Sequence, residues 1–170
     1  MKLDRFLSLA VVSLSLLAGG RVLAQQPAPP PPPQIPYGVP IGLDDAKKVV
    51  AAAEAESRRT GVNVVIAVLD SGANLVMLQR LDGAQLGSIE AAREKAYSAV
   101  LFRRPTKAFQ DLIAQGGVGL RTLRLPGASP VDGGIPIVVN GRLIGAIGVS
   151  GGSTEQDAQV AQAGAVALGK

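Results

Sequence analysis

The sequence predicts an α/β domain of the α+β type, with an antiparallel sheet built from two hairpins and helices on both faces. Three observations lead to this prediction. Two pairs of β-branched runs are each joined by a short turn, which is typical of hairpins. Segments with helical spacing of apolar residues stand before, between and after these pairs. The resulting order, α-β-β-α-α-β-β-α, differs from the strict β-α alternation of a doubly wound parallel sheet.

The first 24 residues have the pattern of a signal peptide. Lys2 and Arg5 precede an apolar stretch from Phe6 to Gly20, and Val22-Leu23-Ala24 resembles a cleavage site. The alternative is an uncleaved membrane anchor, but ~15 apolar residues fall short of the ~20 that a spanning helix needs. Because no Cys follows the stretch, a lipid-anchored lipoprotein is excluded. We therefore expect residues 1–24 to be removed on export, which gives a periplasmic or secreted protein.

Residues 25–40 form a predicted proline-rich linker, and residues 41–170 form the predicted domain. Five consecutive prolines, Pro29 to Pro33, lie in the linker. Such a run favours an extended polyproline II rod, which acts as a spacer without a packed core. A docking site for a proline-binding module is the alternative. The remaining 130 or so residues are about the size of one domain.

The composition excludes several classes of function. The chain has no His and no Cys, so a Ser-His-Asp or Cys-His catalytic site and an ordinary zinc site are both excluded. A net charge of +4 and an aromatic content of 3% are too low to indicate a nucleic-acid partner. A dyad of Lys95 and Ser98 is available on one predicted helix, but nothing in the sequence places it near an oxyanion hole. The sequence therefore argues against an enzyme and predicts no metal site.

The first predicted elements are a helix and a hairpin. A helix is predicted from Leu43 to Thr60, with Asp44 as its N-cap and Gly61 as its C-terminal cap. Two strands follow, Val62 to Leu69 and Asn74 to Leu81, joined by an Asp-Ser-Gly-Ala turn.

The middle of the chain predicts two helices and a loop. Ser88 is expected to cap a helix that runs to about Val100, and its many alanines allow other elements to approach closely. Pro105 interrupts this helix, and a shorter helix is predicted from Thr106 to Ala114. The segment from Gly116 to Pro130 is rich in glycine and predicts a loop. Three leucines are expected to pin that loop to the surface: Leu120, Leu123 and Leu125.

The last elements are a second hairpin and a final helix. The strands Ile135 to Val139 and Arg142 to Val149 flank Asn140-Gly141, a pair that favours a type I′ turn. Ser153 to Gln156 has the pattern of a capping box, which predicts a helix that continues to about Leu168.

A glycine-rich turn before the final helix could bind an anion. Free N–H groups and the helix dipole converge at Ser150, Gly151, Gly152 and Ser153. The pattern is neither a P-loop nor a dinucleotide fingerprint. The alternative, a tight strand-to-helix turn, is the favoured interpretation of the pattern by itself.

Two acidic patterns have ordinary explanations. Asp70 and Asn74 resemble the start of a calcium loop, but the further acidic ligands are missing, so an Asx-turn that closes the hairpin explains them better. Glu90 and Glu94 are one helical turn apart and could share a cation. Neighbouring Arg93 and Lys95 make a solvated, salt-bridged face the better interpretation.

Six motifs, in the same order, resemble the GlcG/HbpS family of heme-binding proteins. The resemblance runs from about Leu43 to the C-terminus. The motifs are Val68 to Leu75 with Arg80-Leu81-Asp82, Ser88-Ile89-Glu90 with Lys95-Ala96, Phe102 to Thr106, Gly133 to Ile137, Gly145 to Gly152, and Gln156-Asp157.

This resemblance implies an antiparallel sheet with helices on both sides, and assembly into homo-oligomers, often octamers. It also implies heme as a cofactor for the exported members. One group of the family is linked to redox sensing through a membrane sensor kinase, and others are associated with glycolate metabolism or fused to corrinoid enzymes. A membrane sensor or a heme-handling protein is therefore an implied partner.

The resemblance also suggests heme-binding residues. A threonine acts as the iron ligand in exported members, and Thr106 is the positional match in this chain; an N-cap after Pro105 is the alternative role. Because guanidinium forks suit carboxylates, Arg103 and Arg104 are expected to pair with the heme propionates. Heme iron is usually ligated by His, Cys, Met or Tyr. Since the chain has no His and no Cys, Met77 and Tyr97 are further candidate ligands.

Three hypotheses follow, in order of preference. The first is an exported, oligomeric heme- or tetrapyrrole-binding protein, used for heme scavenging or as a redox-sensing accessory. The second is a binding module for a small organic anion at the glycine-rich turn, without catalysis. The third is an enzyme that acts on a hydroxy acid or on heme. It is placed last because the chain has no histidine to serve as a base that titrates near neutral pH.

Overall fold

A computed structural model describes residues 34–169. The predicted signal peptide and most of the predicted linker lie outside the described residues. Among the residues described, no helix has the length and apolar character needed to cross a bilayer.

The described elements follow the predicted order α-β-β-α-α-β-β-α, and one 3₁₀ helix lies within the predicted loop. Their bounds are α1 Leu43–Thr60, β1 Val65–Asp70, β2 Leu75–Arg80, α2 Ser88–Phe102, α3 Lys107–Ala114, the 3₁₀ helix Gly117–Arg124, β3 Gly134–Val139, β4 Arg142–Ser150 and α4 Thr154–Ala165.

The four strands form one antiparallel sheet in the order β2-β1-β4-β3. Each predicted hairpin is present, and the two hairpins join where β1 pairs with β4, from Val65 opposite Ser150 to Asp70 opposite Gly145. At the β3–β4 turn, Asn140 and Gly141 have φ values of 50° and 71°. Two positive φ angles are what a type I′ turn requires, so the predicted turn is confirmed.

The sheet has helices on both faces, which confirms the predicted fold class. Along β1, alternate side chains point to opposite faces. Ile66 and Val68 belong to a core cluster with α1 and α4. Ala67 and Leu69 belong to a second cluster with α2.

Small residues bring α2 close to the sheet. A Cβ built on Gly148 of β4 would lie 2.0 Å from the carbonyl oxygen of Ala92 and 3.0 Å from the Cβ of Ala96. No side chain fits there, so the predicted close approach of the alanine-rich helix is confirmed.

Two of the four predicted caps are wrong. The N-cap of α1 is Gly42, and Asp44 lies inside the first turn. The N-cap of α2 is Gly87, and the Ser88 hydroxyl is turned inward to the Ser150 hydroxyl at 3.2 Å. Gly61 ends α1 with φ of 70°, and Ser153 forms the predicted capping box with Gln156, so both of these caps are confirmed.

The predicted Asx-turn at Asp70 is present, but the loop leucines differ from expectation. Oδ1 of Asp70 accepts hydrogen bonds from the backbone N–H groups of Gly72 and Asn74 at 2.8 and 2.9 Å. The leucines that were expected to pin the loop are 42–60% exposed, although the 3₁₀ helix itself packs against α3: Leu120, Leu123 and Leu125.

Candidate functional site

The glycine-rich turn between β4 and α4 uses its N–H groups within the chain. The Gly152 N–H donates to Oδ1 of Asp157 at 2.8 Å, and the Ser153 N–H donates to Oε1 of Gln156 at 2.9 Å. An external anion at Gly152 would therefore compete with the Asp157 carboxylate. Anion binding by Ser150, Gly151, Gly152 and Ser153 stays a prediction, and the contacts favour the strand-to-helix turn.

The Asp157 carboxylate also holds a buried lysine. Lys95 Nζ lies 2.8 Å from Asp157 Oδ2 and donates to the carbonyl oxygen of Val149 at 2.9 Å. Both side chains are at most 4% exposed, so the pair joins α2 to α4 in the protein interior. Burial raises the pKa of the Asp157 carboxyl, while the hydrogen bonds from Lys95 and the Gly152 N–H oppose this rise.

Sequence reasoning missed this ion pair. The spacing contained a usable signal, because Lys95 lies three residues after Ala92 and four before Ala99, on the buried stripe of α2. The Lys95–Ser98 dyad is not formed among the described residues, since Ser98 Oγ accepts from the Ser129 N–H at 3.0 Å.

Thr106 lies in the interior at the corner between α2 and α3. Its side chain is fully buried, and its Oγ1 accepts from the Gly134 N–H at 3.0 Å. Its own N–H donates to the Gly134 carbonyl oxygen at 2.9 Å. Thr106 stands at the N-cap of α3, but its hydroxyl does not cap that helix. Its contacts therefore fasten this corner to β3, and iron ligation by Thr106 stays a prediction.

Arg103 and Arg104 lie beside Thr106 on the surface of this corner. The Arg103 guanidinium stacks 5.1 Å from the centre of the Tyr37 ring, and the Arg104 guanidinium lies 5.8 Å from the centre of the Phe109 ring. Within residues 34–169, neither guanidinium forms a salt bridge. Both are therefore held by aromatic rings and have no carboxylate partner in the described part of the chain.

A half-open groove runs along the exposed side of α2, and we call it the α2 groove. One part is a cavity of about 260 Å³ between α2 and the first hairpin. The adjoining part, about 320 Å³, lies between α2 and the Gly127–Ser129 segment, and the two parts share Glu94 and Tyr97. The groove is lined by Leu69, Ala73, Leu75, Glu90, Arg93, Glu94, Tyr97, Gly127, Ala128 and Ser129.

The charges along the α2 groove are only partly paired. Arg93 forms a salt bridge with Glu90 at 2.6 Å, as predicted, whereas the prediction that Lys95 lies on the same solvated face is wrong, because Lys95 is buried and pairs with Asp157. Tyr97 is 41% exposed and stands where the two cavities meet. An apolar wall with a phenol and a nearby cation can bind the face of a flat, anionic ring system.

A second depression of about 510 Å³ lies near the end of α1 and is chemically different. Its lining is mainly polar, and Glu54 there already accepts hydrogen bonds from Arg58 and from Gln79 at 2.6 Å. It offers little apolar surface for a porphyrin. The α2 groove is therefore the better candidate site.

Comparisons with known proteins agree with the fold. Protein GlcG of Escherichia coli K12 is 39% identical over 105 residues, which cover 62% of this chain and 77% of GlcG. The crystal structure of HbpS matches with a TM-score of 0.71 and 33% identity, covering 79% of this chain and 94% of HbpS. A crystal structure of a PduOC:heme complex matches with a TM-score of 0.68 and 30% identity, covering 76% of this chain and 95% of PduOC.

The family comparison covers nearly the whole described domain. The family model described as "Haem degrading protein HbpS-like" matches residues 41–166. This range runs from just before α1 to just after α4, so it includes the α2 groove and the buried ion pair. The chain belongs to the HbpS-like family.

Proposed function

We propose that this protein binds heme or a closely related tetrapyrrole in the α2 groove. The observation that carries the proposal is the groove itself, a cleft with an apolar wall and with Arg93 in its lining. The protein's membership of the HbpS-like family supports the same ligand, and so does its similarity to PduOC, which is solved as a heme complex.

The residues present fit a tetrapyrrole. Leu69, Ala73 and Leu75 give an apolar wall for the ring, which gains free energy by leaving water. Arg103 and Arg104 lie just past the C-terminal end of α2, roughly 9 Å from Tyr97 along the axis at about 1.5 Å of rise per residue. Their guanidinium groups are suited to hold the two propionates. Bound heme would supply an iron centre for ligand binding or electron transfer.

We further propose that the protein is exported and works as a homo-oligomer. Export is inferred from residues 1–24, and the proline-rich linker would then space the domain from a neighbour. Assembly is supported by exposed apolar side chains on the 3₁₀ helix and the loop after it, which a second copy could cover: Val118, Leu120, Leu123 and Leu125. Heme scavenging, or redox sensing with a membrane partner, are the roles consistent with such a protein.

The arginine pair provides a direct test of the proposed function. In the full chain, the double variant R103Q/R104Q should bind hemin at least tenfold more weakly, because each lost charge-assisted hydrogen bond costs about 1.5–3 kcal/mol. The matched control is R58Q/R59Q, which removes two arginines from the end of α1 on the other face of the sheet. Absorbance titration in the Soret region measures both affinities.

Equal affinity for the two double variants would contradict propionate pairing by Arg103 and Arg104. Unfolding temperatures of both variants show whether either has lost its fold. If hemin does not bind at all, and small carboxylates or phosphate instead raise the unfolding temperature, the organic-anion hypothesis replaces heme binding.

A further inference from the structure

We infer that Tyr97 is the side chain that ligates the tetrapyrrole iron, through its phenolic oxygen. This inference rests on the proposed function. The usual protein ligands of heme iron are His, Cys, Met and Tyr. The chain has no His and no Cys. Among residues 34–169, Met77, Tyr37 and Tyr97 therefore remain.

The contacts of Tyr37 and Met77 argue against both as ligands. The Tyr37 hydroxyl already donates to the carbonyl oxygens of Val100 and Leu101, at 3.0 and 3.2 Å. Met77 lies on β2 and packs against the core cluster of α1 and α4, on the face of the sheet away from α2. Thr106, the positional match from the family, is fully buried with its hydroxyl bonded to Gly134.

Tyr97 differs from these residues because neighbouring residues pack against its ring, while its hydroxyl has no hydrogen-bond partner among the described residues. Gly127 packs against the ring: a Cβ built there would lie 3.2 Å from Tyr97 Cε1 and 2.9 Å from Leu101 Cδ1. Within the described residues, the Tyr97 hydroxyl makes no hydrogen bond, and the side chain lines both cavities of the groove. A held ring with an unengaged oxygen at the centre of a cleft is suited to coordinate a metal.

On ligation the phenolic O–H bond breaks, the oxygen–iron bond forms and the proton passes to solvent, with no change in oxidation state. Arg93 and Glu94 line the same cavity as Tyr97, so one side chain of each charge stands in the cleft beside the phenol.

The test compares Y97F with the matched control Y37F, each in the full chain. Hemin and metal-free protoporphyrin IX are titrated separately, and resonance Raman spectra of the ferric complexes are recorded. We expect Y97F to lose the iron–tyrosinate modes and to bind hemin roughly tenfold more weakly or worse, at least the loss seen when an outer-shell partner of a metal is removed. Y97F should bind the metal-free porphyrin as the unchanged protein does, and Y37F should keep the modes.

Three results would overturn the inference. If Y97F has the same Raman spectrum and hemin affinity as the unchanged protein, the ligand lies elsewhere while the proposed function stands. If Y97F loses affinity for both porphyrins equally, the Tyr97 hydroxyl contributes to packing and not to iron ligation. If the unchanged protein binds neither porphyrin, the proposed function itself fails, and the ligand assignment fails with it.

Discussion

Lys95 and Asp157 place two opposite charges in the protein interior, where ions are costly unless they are paired and hydrogen-bonded. The Lys95 ammonium has Asp157 and the Val149 carbonyl oxygen as partners, and the Asp157 carboxylate also accepts from Gly152. The pair joins helices on opposite faces of the sheet. Its main effect is therefore on stability and on how α2, which carries the candidate groove, is held.

Removing one member of this pair should destabilise the protein strongly. We expect K95M to lower the free energy of unfolding by about 3–5 kcal/mol, because the variant leaves a buried carboxylate without its cation. The double variant K95M/D157L should recover most of this loss, since both charges are then absent. Urea unfolding of the three proteins measures the effect. A loss below about 1 kcal/mol for K95M would mean that the pair is effectively solvated, as exposed pairs are.

At the residue scale, the sequence suggested candidate residues without their contacts. Arg103 and Arg104 were expected to pair with propionates, which stays a prediction, and both arginines lack a carboxylate partner among the described residues. It did not predict the buried Thr106, because the hydroxyl partner, Gly134, lies 28 residues further along the chain. Caps, turns and helical periodicity involve residues that are close in the sequence, so they cannot predict a contact between residues this far apart.

The helices and strands themselves follow from local patterns. The hairpin at Asn140-Gly141 and the capping box at Ser153 were predicted because their geometry is determined within four residues. Asp44 and Ser88 were predicted as caps for the same reason and are wrong. Ser88 forms its contact with Ser150 in the sheet, and a tertiary contact of this kind overrides local preference.

The packing of α1 against α4 includes one group that titrates. Glu56 of α1 accepts hydrogen bonds at 2.6 Å from Arg59 on the same helix and from Gln159 on α4. The hydrogen bond from Arg59 is the main cause that lowers the pKa of Glu56 to about 2, from an ordinary value of 4.5. The folded state therefore favours the ionised carboxylate more than the unfolded state does.

Glu56 should make stability depend on pH in the acid range. Its contribution is complete above about pH 4.5 and is lost as the pH falls towards 2. We expect E56Q to be less stable than the unchanged protein at pH 6, and this difference to shrink as the pH approaches 2. R59Q removes the main cause of the lowered pKa of Glu56, so it should also make the free energy of unfolding depend less on pH in this range. A difference that stays constant from pH 6 to pH 2 in urea unfolding would contradict this account.

On the scale of the whole molecule, the sequence predicted the fold more completely than the site. The order of elements and the layers follow from hydrophobic periodicity and turn residues, and the family match covers residues 41–166. The α2 groove could not be predicted, because it forms between a hairpin and a loop that lie more than 50 residues apart, Ala73 and Gly127 among them. A family relationship specifies a fold more closely than it specifies a ligand, so heme binding needs its own measurement.

The measurement that tests the central claim most directly is a hemin titration of the full chain, followed by Soret absorbance and by light scattering on the same samples. We expect a saturable Soret shift that ends at one heme per chain, on an assembly of a single defined mass larger than one chain. A spectrum equal to the sum of free hemin and protein at every ratio would contradict heme binding. Saturable binding to a monomer would leave heme binding intact and would contradict the proposed assembly.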